Sequence, residues 1–263
     1  MVALWVLVVL IAILIFAQFY YDFDTDITQV TTNVLAKPSW DHIMGTDHLG
    51  RDVFARLLYG GRWSISLAIC AVAISTFLGV VYGAVATYIG GKVENFMMQI
   101  MDALMMIPSM LLVIVLVAIM GASTVNLIIA MSIGGIPHLA RLTRSVIMPI
   151  RDAEYVEAAR AIGASDAKIL FSHILPNCLS PIIVNITMRV GMMVMNVATY
   201  SFIGLGVPKP IPEWGTMLSE ARQFVFVRPD LIFYPGIMIL VFTLMFSLLG
   251  DGLRDALDPK LKR

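Results

Sequence analysis

Taken as reactive groups, the polar side chains of this chain are few and scattered. His42, His48, His138 and His173 share no metal-ligand spacing, and the two cysteines are Cys70, inside an apolar run, and Cys178, at the edge of a polar segment. No metal site is expected from them, nor a structural disulfide. No paired carboxylates, Ser–His dyad or histidine cluster at helical spacing offers a general acid or a nucleophile. The nearest approach to a phosphate-binding loop is Gly90-Gly91-Lys92, where Val93 follows the lysine and Ala86 stands at the place of the first glycine. Without Gly-x4-Gly-Lys-Ser/Thr, an ATP-driven engine would have to reside on another chain. Enzymatic chemistry and a bound cofactor are therefore not expected here. What remains is mechanical: one arginine, Arg189, within a long apolar run, and a polar, helix-prone insert over residues 150–178.

The elements that must position these two features are membrane spans. The chain has 263 residues, 59% hydrophobic and 14% charged, with mean hydropathy +0.87. A soluble domain is about 45–50% apolar and about 25% charged. The apolar excess lies in long runs, which marks an all-α, polytopic membrane protein. Net charge is zero and gives no sign of a nucleic-acid partner.

Six spans are legible, at about 2–20, 63–89, 104–120, 125–140, 182–203 and 231–249, in one domain covering 1–263. The first has no basic region before it and no small-residue cleavage site after it, so it reads as a span and not a signal peptide. The chain opens almost inside it, which suggests a short cytoplasmic lead-in ahead of it. The fourth is short and contains Gly134-Gly135-Ile136-Pro137, so a kink or partly unwound segment is expected there. Lys and Arg number ten on the side of the insert and C-terminus and seven on the other, which puts the insert and the C-terminus in the cytoplasm.

Within the insert, Asp152 and Glu154 after Pro149 suit a first helical turn. Val156, Ala159 and Ile162-Gly163 recur at helical spacing as a low stripe that another protein could approach closely. Gly163-Ala164-Ser165 breaks the helix, Ser165 can cap a second one over 166–175, and Pro176 ends it. Two readings fit: an angled protrusion docking in a partner's groove, or a connector lying on the membrane.

The first external loop, about 21–62, carries an apolar face of Val53, Phe54, Leu57 and Leu58 opposite Arg51, Asp52, Ala55, Arg56 and Tyr59. This predicts an interfacial helix, with Asp52 and Arg56 paired four residues apart. Plain anchoring accounts for it; contact with an external protein is the alternative. Its six acids, Asp22, Asp24, Asp26, Asp41, Asp47 and Asp52, could attract a cationic substrate.

Arg189 lies about eight residues into the fifth span, roughly 12 Å along the helix. A charge at that depth faces a wet cavity, pairs with an acid, or snorkels to the surface. Many of the 18 methionines cluster, as at Met97-Met98, Met105-Met106 and Met192-Met193, which suits ordinary packing or an adaptable surface. Gly79 and Gly83 make a small-xxx-small face. The stretch 202–215, rich in Pro and Gly, predicts a rigid external loop.

The pattern Glu157-Ala158-Ala159, then Gly163, then Leu175-Pro176 resembles the docking motif of permease subunits in binding-protein-dependent ABC importers. Where the broad consensus has Ile, this chain has His173, and His173-Ile174-Leu175-Pro176-Asn177 is similar to the peptide and nickel branch. Two further blocks resemble that branch: Gly45-Thr46-Asp47-His48-Leu49-Gly50-Arg51-Asp52, and Gly250-Asp251-Gly252-Leu253-Arg254-Asp255-Ala256-Leu257-Asp258-Pro259. The three blocks span essentially the whole chain and resemble the second permease of a dipeptide or oligopeptide importer.

That resemblance implies a multi-pass permease of a bacterial or archaeal cytoplasmic membrane. It implies a second homologous permease, two ATPase subunits that hold ATP and Mg, and an extracytoplasmic binding protein. Peptide would cross by alternating access, with nickel chelates or glutathione as alternative cargo. Glu157 to Gly163 would transmit force from the ATPases, and Arg189 would line the pathway and meet the peptide's carboxyl end or an acid on the partner permease.

Two other classes are weighed against this. A stand-alone secondary transporter or channel is expected to carry several buried acids, yet only Arg189 is clearly charged in mid-span. A membrane-embedded enzyme needs a catalytic constellation, and none is visible.

Overall fold

The computed structural model describes residues 2–257, and these are all-α: among them no strand occurs, only an isolated bridge between Thr46 and Asp52. Asp258, Pro259, Lys260, Lys262 and Arg263, used above for the terminal block and for charge placement, lie outside the described residues.

The helices follow in order: α1 (Val2–Tyr20), α2 (Val53–Ile89), α3 (Gly91–Met105), α4 (Ser109–Met120), α5 (Thr124–Arg151), α6 (Glu154–Ala161), α7 (Asp166–Lys168), α8 (Leu175–Phe202), α9 (Trp214–Ala221) and α10 (Asp230–Leu257). A π-helical stretch, Ile169–Ile174, joins α7 to α8, so that 166–202 runs as one helical rod of 37 residues. Among the described residues five helices are long and apolar enough to cross a membrane, or six when the bent pair α3–α4 counts as one span. The protein is thus a multi-pass helical membrane protein.

Local chemistry explains where these helices start. Asp52 caps α2, accepting from the Ala55 N–H at 2.8 Å, and Ser123 caps α5 through the Asn126 N–H at 3.1 Å. Glu213 and Thr216 form a reciprocal capping box at the start of α9.

The bundle is organised around α2, which packs along α5 and also touches α1 and α8; α8 in turn pairs with α10, and α9 is wedged between those two. The α2–α5 seam is close because of Gly79 and Gly83. A Cβ added at Gly79 would lie 2.6 Å from Leu139 Cβ, and one at Gly83 only 2.4 Å from the Ala140 carbonyl oxygen. Small residues let two helix backbones approach and gain dispersion contacts, which matters most where lipid removes the hydrophobic drive. The main core gathers Leu67, Ala71 and Val72 of α2, Val194 and Val197 of α8, and Trp214 against Phe242 with ring centroids 5.2 Å apart. α1 buries only Leu7, Leu14 and Ala17, a single stripe, and leaves its other faces apolar and exposed, as a lipid-facing helix does.

Several expectations need correction. The third span is not one helix over 104–120: Pro108 breaks it, and α3 and α4 meet at 85°. The fourth span does not unwind at Gly134-Gly135-Ile136-Pro137; α5 is continuous for 28 residues through both Pro137 and Pro149. Its neighbours on α2 hold it, since Ser132 donates to the Ala71 carbonyl at 3.3 Å and Gly135 seats against Ser75. The interfacial helix does not exist separately, because residues 53–62 are the first turns of α2. Pro176 does not end a helix; it sits where the π-helical stretch passes into α8. The loop before Trp214 stays irregular as expected, although Trp214 and Gly215 already belong to α9.

Candidate coupling surface and membrane cavity

The insert is built by the ends of two membrane rods. α5 stops at Arg151, whose guanidinium donates to the Thr87 carbonyl at 2.8 Å and to Asp152 at 3.0 Å. The latter contact holds the Asp152 carboxyl below the usual carboxylate range. Asp152 therefore closes α5 and does not open the next helix; Glu154 opens α6, with Ala153 at its N-cap.

The end of α6 is a Schellman motif. The Ala164 N–H donates to the Ala159 carbonyl at 3.1 Å and the Gly163 N–H to the Arg160 carbonyl at 3.0 Å, with Gly163 at φ 83°. Ser165 then caps α7 through the Lys168 N–H, as its position in the sequence predicts.

The faces of α6 are assigned differently from the expectation. Val156 and Ala159 do not form a docking stripe; they are buried in a cluster with Ile147, Ile169, Ile174 and Cys178. Ile162, expected in the same stripe, is 86% exposed. The exposed surface is Glu157, Ala158, Arg160, Ala161, Ile162 and Gly163, with Pro176 exposed and Leu175 half-buried nearby. The insert is thus pinned to the bundle by one face and presents a shallow, mixed surface with an apolar tip by the other.

Acids of α3 hold the end of α5, which the sequence reading missed. Glu94, 6% exposed, accepts from Arg144 at 2.5 Å and lies 3.7 Å from Arg151, and Asp102 pairs with Arg141. The basic residues counted for orientation are therefore also structural partners. Glu94 and Asp102, the two acids of α3, about two turns apart, are the signal in the sequence.

At the opposite end, the block 45–52 folds into a charged lock. Gly45 and Gly50 are buried at positive φ, and Thr46, fully buried, accepts from the Ala36 N–H at 2.8 Å. Asp47 accepts from the Leu49 and Arg51 N–H groups and from Arg51 Nε at 2.7 Å. Arg51 and Arg56 both reach Glu220 of α9, at 2.8 and 3.2 Å, and Lys209 lies 3.2 Å from the same carboxylate. Asp52 does not pair with Arg56; it caps α2 and takes His42 Nδ1 at 2.8 Å. Arg51 and Arg56 are buried, so the polar face expected in solvent is a buried one. With Asp47 and Asp52 engaged in this way, they are not free to attract a cationic substrate.

Asp47, His48 and Glu220 bring ligand atoms within 4.8 Å of one another. The geometry alone would suit a cation, but Arg51, Arg56 and Lys209 already neutralise both carboxylates. Arg228, 5% exposed, donates to the Leu35 carbonyl at 2.7 Å and so ties this loop to the start of α10. Glu213 is fully buried, and its carboxylate accepts from Ser64 Oγ at 2.7 Å and the Thr216 N–H at 3.0 Å.

Arg189 lies on α8 beside a cavity of ≈ 200 Å³ bounded by α4, α5 and α8. No carboxylate pairs with it among the described residues, and its Nε is buried without a hydrogen-bond partner. The structural ion pair weighed above is therefore not made within the described residues. Met131 and Met193 line the cavity, whereas Met97 and Met98 do not.

Residues 75–263 match the family described as the binding-protein-dependent transport system inner membrane component. The chain is 43% identical over 253 residues to the glutathione transport system permease protein GsiD of Pectobacterium atrosepticum, covering 96% of this chain and 84% of that protein. It is 43% identical over 231 residues to the dipeptide transport system permease protein DppC of Alkalihalophilus pseudofirmus, covering 88% and 76%. In fold it matches a chain of the inward-facing MetNI methionine ABC transporter with TM-score 0.63 and 17% identity, over 77% of this chain and 96% of that one. The chain belongs to the inner membrane permease family of binding-protein-dependent ABC importers.

Proposed function

We propose that this permease moves di- or oligopeptides, glutathione among them, inward by alternating access, driven by ATPase subunits that seat on the exposed face of α6. The observation that carries the reading is the construction of the insert. Val156 and Ala159 anchor it in a core shared with α5 and α8, so a push on Glu157, Ala158 or Ile162 is delivered to two membrane rods at once. A well-packed interior transmits such a push instead of absorbing it.

In this reading Glu157, Ala158, Ala159, Gly163, Leu175 and Pro176 form the coupling element. Ala159 and Gly163 shape it, and Glu157 and Ala158 meet the partner. ATP and Mg are held by two ATPase subunits, a second homologous permease completes the pathway, and an extracytoplasmic binding protein delivers cargo. The insert and the C-terminus face the cytoplasm, and the lock of Gly45, Thr46, Asp47, Gly50, Arg51 and Asp52 faces outward. Arg189 lines the pathway. The two named relatives support peptide cargo, since glutathione and dipeptides are both short peptides.

Gentle purification from native membranes tests the assembly. Wild-type chain is expected to bring a second permease and ATPase subunits, while Glu157→Arg loses the ATPases and keeps the permease partner. A chain that purifies alone and still moves solute after reconstitution would make it a self-contained transporter.

A further inference from the structure

The Arg189 cavity supports a narrower statement about cargo, which rests on the importer reading above. Arg189, Met193, Asn196 and Tyr200 follow one another at intervals of four, three and four residues along α8 and line one face. Across from them Met131, Gly134, Gly135 and His138 line α5 at intervals of three, one and three, and Ser109 closes the space from α4.

Five polar side chains, those of Ser109, His138, Arg189, Asn196 and Tyr200, thus converge on one cavity. Among the described residues none of them makes a side-chain hydrogen bond to another residue, and Arg189 Nε is buried without a partner. Within a bilayer, polar groups are satisfied by protein, by water or by a ligand, and an unpaired guanidinium is especially costly to leave dry. The glycine pair on α5 makes the room: a Cβ on Gly135 would lie 3.1 Å from Arg189 Nη2.

Among the described residues no carboxylate lines the cavity. A cationic or wholly apolar ligand would leave the guanidinium unmatched, whereas its planar fork fits a carboxylate with two parallel N–H donors. Asn196 and Tyr200, about two and three turns further along the same face, supply further hydrogen-bonding groups, and the two methionines give a wall that accepts varied side chains. We propose that this cavity is a station for the free carboxylate of a peptide substrate, with Arg189 as the recognising group.

The test uses the complete complex with its partner subunits, reconstituted in lipid. Phenylglyoxal labelling of Arg189, read by mass spectrometry, is measured with S-methylglutathione, whose capped sulfur cannot consume the reagent, with dialanine, or with dialanine amide as the probe. The free acids are expected to slow labelling several-fold and the amide to leave it unchanged. Arg189→Gln is expected to lower uptake of whichever free acid the wild type carries by about tenfold or more, with partial recovery in Arg189→Lys.

Equal protection by acid and amide would overturn carboxylate recognition and leave the importer reading intact. So would an Arg189 that resists labelling in the empty complex, or one already paired with an acid of the partner permease. A complex with its ATPases in place that moves none of the probes would instead overturn the peptide cargo on which this inference rests.

Discussion

Arg51 donates to Glu220 across 2.8 Å, although the two residues stand 169 positions apart in the chain. The contact joins the loop before α2 to α9, and both partners are largely shielded from solvent: the Arg51 and Glu220 side chains are 4% and 9% exposed. Glu220 is shared with Arg56, so a single carboxylate answers two buried guanidinium groups while Asp47 answers them from the other side.

Glu220→Ala should therefore be among the more damaging substitutions outside the apolar core. Removing one partner of a buried ionic network leaves the other charge without compensation, which costs about 3–5 kcal/mol. The purified variant is expected to melt well below wild type in detergent, with Glu220→Gln intermediate because the amide still accepts one hydrogen bond. A Glu220→Ala protein with wild-type melting would remove the lock from the account of stability.

A different substitution tests the helix seam. In Gly83→Val the new Cβ would meet the Ala140 backbone, which cannot rotate away. Overpacking of this kind costs about 1–3 kcal/mol, and more where backbone must move. Gly236 on α10 has open space at the corresponding position, so Gly236→Ala is expected to be neutral or to stabilise by about 0.5–1 kcal/mol. Thermal melts of the two variants, side by side, separate close packing from mere helix propensity.

His48 supplies a pH dependence. It stacks on Phe224 with ring centroids 5.5 Å apart, and burial pushes its pKa below the ordinary 6.5. Asp47 and Glu220 pull the value up, and Arg51 and Lys209 push it down, but burial is the largest cause. Between the depressed value and about 6.5 the unfolded chain binds more protons than the folded one, so stability falls as pH drops through that window. His48→Gln is expected to flatten this part of a melting-temperature profile taken from about pH 5 to 8.

Much of the outline was legible along the chain. The excess of apolar residues in runs gave the membrane class, and the run lengths gave six spans once α3 and α4 are taken together. Ser165 was recognised as a cap and the polar insert as a separate element, because capping and composition are local properties. The errors were of one physical kind. Gly134-Gly135-Ile136-Pro137 suggests an unwound segment, yet α5 stays helical through it, since packing against α2 outweighs a lost backbone hydrogen bond. Asp52 and Arg56 have the spacing of a helical pair, yet each has a partner beyond the helix. Asn196 and Tyr200 share a helical face with Arg189, a spacing the sequence carries, but only the cavity shows that the face matters.

The sequence by itself determined that this chain spans a membrane several times and that a polar segment hangs between two spans. Those features depend on hydropathy and on side chains a few residues apart. Only the tertiary structure decided which face of α6 is free, which charges are neutralised, and that Arg189 opens on a cavity. A stripe of apolar residues says that it will be covered and not by what, because burial is non-directional. A charge in a sequence has no fixed worth either, because its energy depends on what lies within a few ångströms of it, and that neighbour can come from any part of the chain.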